Sequence, residues 1–253
     1  MTLEGRVALV TGGSRGIGKA IALGLAADGA DVAINYRRDE DAARETVGEI
    51  EGLGRKAGAY KASIDDVEAD QAMVDEVLSA FGHVDILVNN AGIASRGGSV
   101  AKTDPNEVVR VIGTHAIGAH HLCRMLVPQM RQRERGDIVM ISSVATRAMA
   151  GGGAPYNMAK AALEALAMTL ANEEKTKGIR VNVVAPGLVD TEMGRRLVKG
   201  AMGVDDIRTL DQGMPFGRVT TPQDVADVVR FLVSEAGALI SGQRIYVDGG
   251  AGY

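Results

Sequence analysis

The chain has 253 residues, of which 46% are hydrophobic and 24% charged, and its formal net charge is −4. This composition is typical of a globular protein, and no block of like charge is long enough to form a nucleic-acid-binding arm. Aromatic residues make up only 3% of the chain, which argues against single-stranded nucleic acid as a partner, because its bases stack on aromatic rings. No apolar stretch reaches the roughly 18 residues of a membrane-spanning helix, so we expect no membrane partner.

The chain contains a single cysteine, Cys123, which cannot form an internal disulfide and therefore suits a reducing compartment. The N-terminus has no basic segment followed by an apolar run, so we expect no signal peptide. Together these features predict a cytoplasmic protein of enzyme size.

Short apolar, β-branched segments alternate along the chain with longer helical segments. The predicted strands are 6–10, 31–35, 58–62, 85–89, 137–142, 180–185 and 244–248. The predicted helices are 16–28, 39–53, 66–81, 105–132, 155–177 and 222–234. Several strands are hydrophobic without alternation, as expected for strands buried on both faces of a parallel sheet. The pattern predicts an α/β fold, a single domain over residues 1–253 with a Rossmann-type doubly wound parallel sheet of about seven strands and helices on both faces.

The segment 188–217 is longer and more apolar than an ordinary connection. Its apolar side chains stand among charged residues and are Met193, Leu197, Met202, Leu210, Met214 and Phe216. Because the segment directly follows a strand end, where ligands bind in sheets of this type, we interpret it as a substrate lid. A short helical insert that packs on the core is the alternative.

A glycine-rich segment, "VTGGSRGIGKA" (10–20), follows the first predicted strand and opens the first predicted helix. Gly12, Gly16 and Gly18 permit a tight turn and a close approach of the backbone to a pyrophosphate, which then lies at the positive end of the helix. The position of the glycines between a strand and a helix predicts a dinucleotide-binding loop rather than an ordinary turn.

The end of the second predicted strand indicates which dinucleotide is bound. Enzymes that select NAD usually place Asp or Glu there to bind the ribose hydroxyls. This chain reads "INYRRDE" (34–40), which puts Tyr36 and Arg37 at the strand end, and Arg15 of the glycine loop can reach the same place. Arginine pairs well with phosphate, so the pattern favours the 2′-phosphate of NADP(H) over NAD(H). Two solvated surface arginines are the alternative.

A tyrosine and a lysine, Tyr156 and Lys160, lie four residues apart on a predicted helix and therefore on one face. A neighbouring ammonium, like the positive charge of an oxidised nicotinamide, favours the phenolate, so Tyr156 could exchange a proton with a carbonyl or alcohol oxygen near neutral pH. Ser142 and Ser143 stand at the end of the strand "DIVMIS" (137–142), at the edge of the sheet where ligands bind, and Ser143 could hydrogen-bond the same substrate oxygen. A surface tyrosine beside a solvated lysine is the alternative.

This combination resembles the short-chain dehydrogenase/reductase family over essentially the whole chain. The matching segments are "TGGSRGIG" (11–18), "NNAG" (89–92), Ser143 thirteen residues before Tyr156, "YNMAK" (156–160), "PGLVDT" (186–191) and "DGG" (248–250). The resemblance implies hydride transfer between a nicotinamide and a substrate carbonyl or alcohol. It implies that Tyr156 is the general acid/base, that Lys160 holds the nicotinamide ribose and lowers the tyrosine pKa, and that Ser143 positions the substrate oxygen.

The resemblance also completes a predicted cofactor site. Its members are Gly12, Ser14, Arg15, Gly16, Ile17, Gly18, Tyr36, Arg37, Ser63, Ile64, Asn90, Ala91, Gly92, Tyr156, Lys160, Pro186, Gly187, Val189 and Thr191. Two positions depart from the family pattern. His115 stands in "VIGTHAIGA" (111–119) where the family has an asparagine that holds a water linking the lysine to solvent. Histidine can donate or accept a hydrogen bond, so we include His115 among the catalytic residues as a member of the same relay and expect activity to be retained. A slower relay or a changed chemistry is the alternative. Ser63 stands where an aspartate commonly contacts adenine.

The nearest resemblance within the family is to 3-oxoacyl-[acyl-carrier-protein] reductases, which implies an acyl-thioester substrate and a role in fatty acid biosynthesis. A basic rim of Arg131, Arg133, Arg135, Lys175 and Lys177 could steer an acidic acyl carrier protein, although interspersed glutamates leave an ordinary mixed surface open. The helices 105–132 and 155–177 carry more apolar surface than one sheet can cover, and the resemblance implies that they pair between subunits in a homotetramer. We expect no metal site, because the adjacent His120 and His121 point to different sides of a helix.

Two alternatives stay open: a dehydrogenase of a secondary alcohol such as a sugar, polyol or steroid, and a non-catalytic redox sensor.

Overall fold

The computed structural model describes residues 2–251, and within them seven parallel strands form one sheet in the order β3-β2-β1-β4-β5-β6-β7. The strands are β1 Val7–Val10, β2 Asp31–Tyr36, β3 Ala57–Lys61, β4 Ile86–Asn89, β5 Gly136–Ile141, β6 Ile179–Pro186 and β7 Arg244–Val247. The helices are α1 Gly16–Ala27, α2 Glu40–Gly52, α3 Val67–Phe81, α4 Pro105–Ile112, α5 Gly118–Met130, α6 Ala145–Ala148, α7 Ala154–Glu174, α8 Glu192–Met202 and α9 Pro222–Val233. The predicted doubly wound α/β sheet is confirmed.

The sheet is buried on both faces, which explains why its strands are apolar without alternation. Every residue of β1, β4 and β5 is buried. One core cluster includes Ile21, Leu25 and Val229 from α1 and α9, and the cluster on the other face includes Leu122 and Leu163 from α5 and α7. Alternate side chains of β1, β2, β4 and β5 enter one cluster or the other, as helices on both sides of a parallel sheet require.

Several helices begin at the residues that helix-capping chemistry favours. Asp39 caps α2 by accepting a hydrogen bond from the Ala42 backbone, and Asp66 caps α3 in the same way. Thr221 and Asp224 form a reciprocal capping box at the start of α9. α7 lacks a side-chain cap but has Pro155 in its first turn, which suits the fixed backbone angle of proline. The start of α7 matters most, because it sets where Tyr156 stands.

The single helix predicted over 105–132 is wrong in its middle. A π-helical segment, Gly113–Ile117, separates α4 from α5. The Thr114 hydroxyl donates to the Arg110 carbonyl oxygen at 3.0 Å, and the His115 ring is held by the backbone of Ile93. Such single-turn widenings frequently mark functional sites, and hydrophobic periodicity cannot reveal them.

The segment 188–217 folds into α8 and a short 3₁₀ helix, Ile207–Gly213. Val198, Ile207 and Val219 form a small core of their own beneath it. Met193 and Leu197 lie one helical turn apart on α8 and remain exposed. The segment is therefore a helical insert with an apolar outer face, and its role as a lid stays a prediction. No helix within residues 2–251 is both long and apolar enough to cross a membrane.

Candidate active site

The loops after β1, β4, β5 and β6 gather at the carboxyl-terminal edge of the sheet, where doubly wound folds bind ligands. These strands are neighbours in the sheet, so the four predicted motifs that follow them are brought together. They are the glycine loop after β1, Asn90–Gly92 after β4, Ser142 and Ser143 after β5, and Pro186–Thr191 at the end of β6.

The glycine loop has the backbone that its sequence predicts. Gly12 and Gly16 have φ angles of 63° and 54°, a region that residues with a side chain seldom adopt. A Cβ at Gly18 would overlap the carbonyl oxygen of Gly12, so glycine is required there for close packing of the turn. Arg15 is the N-cap residue of α1 and has no side-chain cap, which leaves the first N–H groups of the helix for an anion.

The loop after β4 is tied to the glycine loop through Thr11, a residue that the sequence analysis missed. The Thr11 hydroxyl accepts hydrogen bonds from the backbone N–H groups of Asn90 and Ala91, each at 2.9 Å. The Asn90 amide donates back to the Thr11 carbonyl oxygen at 2.8 Å. These three bonds fix the two predicted cofactor-binding segments against each other. Thr11 directly precedes Gly12, and this position next to the glycine loop is the signal that could have identified it.

An open cleft of about 580 Å³ lies at the start of α1 and α2, on the side where a 2′-phosphate is predicted. Its lining residues are Arg15, Arg38, Asp39, Glu40, Asp41 and Arg44. Arg15 donates to Asp39 at 2.8 Å and to Glu192 at 2.9 Å. Arg37, by contrast, is exposed and does not line this cleft, so the structure adds Arg38 to the predicted set. Three arginines in one cleft suit a phosphate, but Arg15 reaches it only in competition with two carboxylates.

The remaining adenine-side residues lie beside this cleft. Tyr36 is buried at the end of β2, and Ile64 is buried after β3. The Ser63 hydroxyl donates to the Asp65 carboxylate at 2.6 Å. This hydrogen bond holds the Asp65 carboxylate beside Ser63, the position at which the family pattern has an aspartate.

The predicted catalytic residues Ser143, Tyr156 and Lys160 are brought together. Lys160 Nζ lies 5.6 Å from the centroid of the Tyr156 ring and donates to the Ile141 carbonyl oxygen at 2.7 Å. Its side chain is almost fully buried, and burial lowers the pKa of Lys160 to about 7, although Glu164 opposes that shift. A lysine in this state exchanges its charge near neutral pH, which suits a group that assists proton transfer.

The pKa of Tyr156 differs from the sequence-based expectation. Burial raises the pKa of the phenol above its ordinary value of 10, and a hydrogen bond with Ser143 opposes this only in part. The lowering expected from Lys160 does not set the pKa of this phenol, because desolvation of the phenolate is the largest effect on it. The side chains of the protein therefore keep Tyr156 protonated at neutral pH, ready to act as an acid.

His115 is buried beside this group, on the π-helical segment. Its Nε2 lies 3.1 Å from Ile93 N and 2.9 Å from Ile93 O. Burial first, and then the charge of Lys160, lower the pKa of His115 to about 3, so the ring is neutral. Among residues 2–251 its Nδ1 has no hydrogen-bond partner. A Cβ at Gly92 would overlap the His115 ring, so the ring has room at this place because residue 92 is a glycine.

The loop after β6 contacts the glycine loop and completes the ring of predicted cofactor segments. Thr191 caps α8, and its methyl group would lie 3.4 Å from a Cβ placed at Gly16. Val189 is buried, and the Pro186 carbonyl oxygen accepts a hydrogen bond from the Val144 backbone at 3.0 Å. This loop therefore touches both the cofactor-binding and the serine-bearing segments.

Two other predicted features lie elsewhere. The basic rim stands at the amino-terminal edge of the sheet, opposite Tyr156, and most of its charges are paired, in the contacts Arg131–Glu174, Arg133–Asp85, Arg135–Asp137 and Lys177–Glu174. The rim therefore presents little free positive charge to a carrier protein.

His121 contacts Asp70 at 3.3 Å, and within residues 2–251 no three His, Cys, Asp or Glu side chains converge as metal ligands would.

Comparison with known proteins agrees with this geometry. A family model described as "Enoyl-(Acyl carrier protein) reductase" matches residues 12–252. The 3-oxoacyl-[acyl-carrier-protein] reductase FabG of Staphylococcus aureus strain Mu50 is 38% identical over 245 residues, which cover 96% of this chain and 96% of that protein.

Two solved structures are similar over their whole length. A short chain dehydrogenase from Burkholderia cenocepacia J2315 in complex with NADP has a TM-score of 0.90 at 39% identity, and the match covers 100% of both chains. A 3-ketoacyl-(acyl-carrier-protein) reductase from Brucella melitensis complexed with NADH has a TM-score of 0.89 at 31% identity, again over 100% of both chains. A match of this extent in sequence and in structure means that the chain belongs to the short-chain dehydrogenase/reductase family.

Proposed function

We propose that this oxidoreductase reduces the ketone of a 3-oxoacyl thioester with NADPH. The observation that carries the proposal is the convergence of Ser143, a protonated Tyr156 and the buried Lys160 beside the glycine loop. The dinucleotide, when bound, supplies the hydride that adds to the carbonyl carbon. Tyr156 gives its proton to the carbonyl oxygen, so that the products are a secondary alcohol and an oxidised nicotinamide.

Each of the three side chains has a separate task in this reaction. Ser143 donates a hydrogen bond to the substrate oxygen and orients the carbonyl toward Tyr156. Lys160 carries the positive charge that stabilises the phenolate formed when the proton leaves. Tyr156 must recover a proton after each turnover, and Lys160, whose pKa lies at about 7, can take part in that recovery.

The preference for NADPH over NADH rests on the cleft that contains Arg15 and Arg38. Arginines of this cleft can pair with the 2′-phosphate, and no carboxylate ends β2 to bind a ribose hydroxyl in its place. The relatives alone do not decide this, since one similar structure was solved with NADP and another with NADH.

The substrate class follows from the exposed face of α8 and from the relatives. Met193 and Leu197 offer an apolar surface near the Ser143 edge, which suits an acyl chain better than a sugar. The reductases among the relatives act, by their names, on a 3-oxoacyl group. The proposal does not depend on the basic rim, because its charges are mostly paired.

Assembly and location belong to the same proposal. Val109, Ile117 and Met158 are exposed apolar residues on α4, on the π-helical segment and on α7. Such a surface suits contact between subunits in a homotetramer. Sedimentation or light scattering would test this directly. The buried free thiol of Cys123 is compatible with a cytoplasmic location.

The test is a substrate panel assayed with both cofactors. It compares acetoacetyl-coenzyme A, an acetoacetyl carrier protein, a ketosugar and a 7-oxosteroid, each with NADPH and with NADH. We expect kcat/KM for a thioester with NADPH to exceed the value with NADH by about tenfold or more. Faster reduction of the ketosugar or the 7-oxosteroid than of either thioester would favour the alternative of a sugar or steroid dehydrogenase, and tight NADPH binding without any turnover would favour the redox sensor.

A further inference from the structure

A buried carboxylate lies directly behind the predicted catalytic residues. Glu164 is one helical turn beyond Lys160 on α7, and its side chain is only 4% exposed. Its Oε1 accepts hydrogen bonds from Ser142 Oγ at 2.6 Å and from Thr146 Oγ1 at 2.8 Å. Its Oε2 pairs with Arg244 Nη2, on β7, at 2.6 Å. Burying a carboxylate is costly unless it is hydrogen-bonded in this way, so the surrounding structure is organised around this group.

The two hydroxyl groups that bind Glu164 stand on either side of Ser143. The Thr146 hydroxyl also lies 3.0 Å from the Ser143 carbonyl oxygen, but it has one proton to donate, and the carboxylate is the stronger acceptor. The Ser143 hydroxyl accepts a hydrogen bond from the Ala145 backbone at 3.2 Å, which closes the turn. Glu164 thus anchors both ends of the short segment that presents Ser143 to a substrate.

Glu164 also faces the charge of Lys160. The direct hydrogen-bond acceptor of Lys160 is the neutral carbonyl of Ile141, which does not compensate a buried ammonium fully. The other titratable groups near Lys160 are Tyr156 on α7 and His115 on the π-helical segment, and neither is an anion at neutral pH. Glu164 is the group that raises the pKa of Lys160 against the effect of burial.

We infer that Glu164 is a positioning residue of the reductase site: its carboxylate holds the turn that presents Ser143 and supplies the negative charge that keeps Lys160 protonated. The inference rests on the proposed function for the roles of Ser143 and Lys160. Glu164 touches neither of the reacting groups and acts through its neighbours. Arg244, at the partly exposed end of the network, offsets part of that negative charge.

The first experiment measures the charge of Lys160 without relying on turnover. Lysine labelled with ¹³C at Cε is incorporated, the Lys160 resonance is identified by its absence in Lys160→Met, and its pH titration is followed by NMR. In Glu164→Gln, which keeps the shape and an acceptor oxygen, we expect the titration midpoint to fall by about one pH unit. Glu173→Gln makes the same chemical change on the exposed face of α7 and should leave the midpoint unmoved.

A second variant keeps the test decisive if Glu164→Gln does not fold. Arg244→Gln removes the cation that faces Glu164, so the carboxylate acts on Lys160 with less opposition and the titration midpoint should rise. Opposite shifts in the two variants are not expected of residues that only support the fold. Equal midpoints in the wild type and in whichever variant folds would overturn the inference.

The second experiment is the pH–rate profile with the best substrate from the panel. Loss of the Lys160 charge sets the alkaline limb, so Glu164→Gln should move that limb to lower pH and lose about tenfold in kcat at pH 8 but less at pH 6. A rate loss that is equal at every pH, with an unmoved Lys160 titration, would leave Glu164 a structural role only. If the wild type reduces no ketone but Lys160 titrates as expected, the proposed function fails while the electrostatic role of Glu164 stands.

Discussion

The rings of His115 and Tyr156 meet edge to face, with centroids 5.3 Å apart and planes at 87°. His115 therefore does more than replace an asparagine of the family pattern. It packs against the predicted acid, holds the backbone of Ile93, and takes up the room that Gly92 leaves free. Because its pKa lies at about 3, it contributes shape and hydrogen bonding to the site, and no charge at neutral pH.

The first prediction concerns His115→Asn. The side chain of an asparagine can accept a hydrogen bond from Ile93 N with its oxygen and donate one to Ile93 O with its nitrogen at the same time. The single ring nitrogen His115 Nε2 can make only one of these two hydrogen bonds. We expect kcat to stay within about threefold of the wild-type value, because the backbone of Ile93 remains held. His115→Leu keeps the bulk but can neither donate to Ile93 O nor accept from Ile93 N, so it should lower kcat further. Equal activity of the two variants would show that the hydrogen bonds to Ile93 do not matter.

The same variant carries a pH-dependent consequence for stability. The pKa of His115 is about 3 in the folded chain and 6.5 when unperturbed, so below pH 6.5 the unfolded state binds a proton that the folded state rejects. The wild-type free energy of unfolding should therefore fall as the pH drops from about 6.5 toward 3. His115→Asn should reduce that slope. Urea unfolding at pH 7.5 and pH 5 measures it.

Replacing Tyr156 with phenylalanine tests the predicted acid. The change removes the hydroxyl and keeps the ring against His115, so the fold and cofactor binding should be retained. We expect kcat to fall by about a thousandfold, in the range that a general acid contributes. NADPH binding followed by fluorescence serves as the control, and activity near the wild-type level would remove Tyr156 from its role.

Arg15 and Glu192 give a prediction about cofactor choice. Arg15→Ala should raise KM for NADPH by about tenfold and leave KM for NADH nearly unchanged, because only NADPH has the 2′-phosphate. Glu192→Gln removes a carboxylate that competes for Arg15 at 2.9 Å, and it should tighten NADPH binding by up to about fivefold. Asp205→Asn, three residues beyond the last residue of α8, is the matched control, since Asp205 pairs with Lys199 of that helix. A stronger loss for NADH than for NADPH in Arg15→Ala would contradict the proposed specificity.

Much of the fold could be predicted, because buried parallel strands and glycine turns leave local signals. The apolar run of residues in β5 and the four-residue spacing of Tyr156 and Lys160 can each be recognised within a short stretch of the sequence. The π-helical segment could not be predicted, since hydrophobic periodicity does not distinguish one widened turn from the α-helix on either side of it. The raised pKa of Tyr156 also depends on burial in the folded chain, which a four-residue spacing does not reveal.

The ion pairs of the protein could not be predicted from the sequence either. A sequence shows that Arg133 and Arg135 are basic, but not that Asp85 and Asp137 neutralise them at the far edge of the sheet. Glu164 has the spacing of a residue one turn beyond Lys160, yet only the structure shows that Ser142 and Arg244 bind it. Contacts across the sheet decide whether a charge is free, paired or buried.

Asp70 gives a prediction of opposite sign to that for His115. It is fully buried on α3, and burial first, then the nearby Asp66 and Asp65, raise its pKa to about 7 from 3.8. Above pH 3.8 the unfolded state loses the proton that the folded state keeps, so stability is lost as the pH rises toward 7. Asp70→Asn should therefore raise the free energy of unfolding at pH 8 by about 2 kcal/mol and have little effect at pH 4.

The control for Asp70 is its neighbour His121, which contacts it at 3.3 Å. His121→Gln keeps a polar side chain at this place and leaves the carboxyl group buried, so it should not reproduce the stabilisation. Urea unfolding at pH 4, 6 and 8 compares the three proteins. If Asp70→Asn is destabilised at pH 8, the carboxylate is paired with His121 as an ion, and the raised pKa of Asp70 is wrong.

The last prediction concerns the amino-terminal edge of the sheet. Asp137, at the start of β5, accepts contacts from Arg6 at 2.7 Å, Arg135 at 3.1 Å and Arg180 at 2.5 Å, and its side chain is almost fully buried. Asp137→Asn keeps the size of the side chain but leaves three guanidinium groups without their shared anion. Breaking a buried charge network in this way should cost about 3–5 kcal/mol of stability.

The amino-terminal edge of the sheet lies opposite Tyr156. The loss of stability in Asp137→Asn should therefore appear in unfolding experiments and not in kcat or KM at 25 °C, as long as the variant remains folded. Asp227→Asn is the matched control, because Asp227 also pairs with an arginine, Arg230, but is mostly exposed. Its change in stability should stay below about 1 kcal/mol. If the two variants unfold at the same urea concentration, the three arginines are compensated by solvent, and Asp137 is not the anion on which this edge depends.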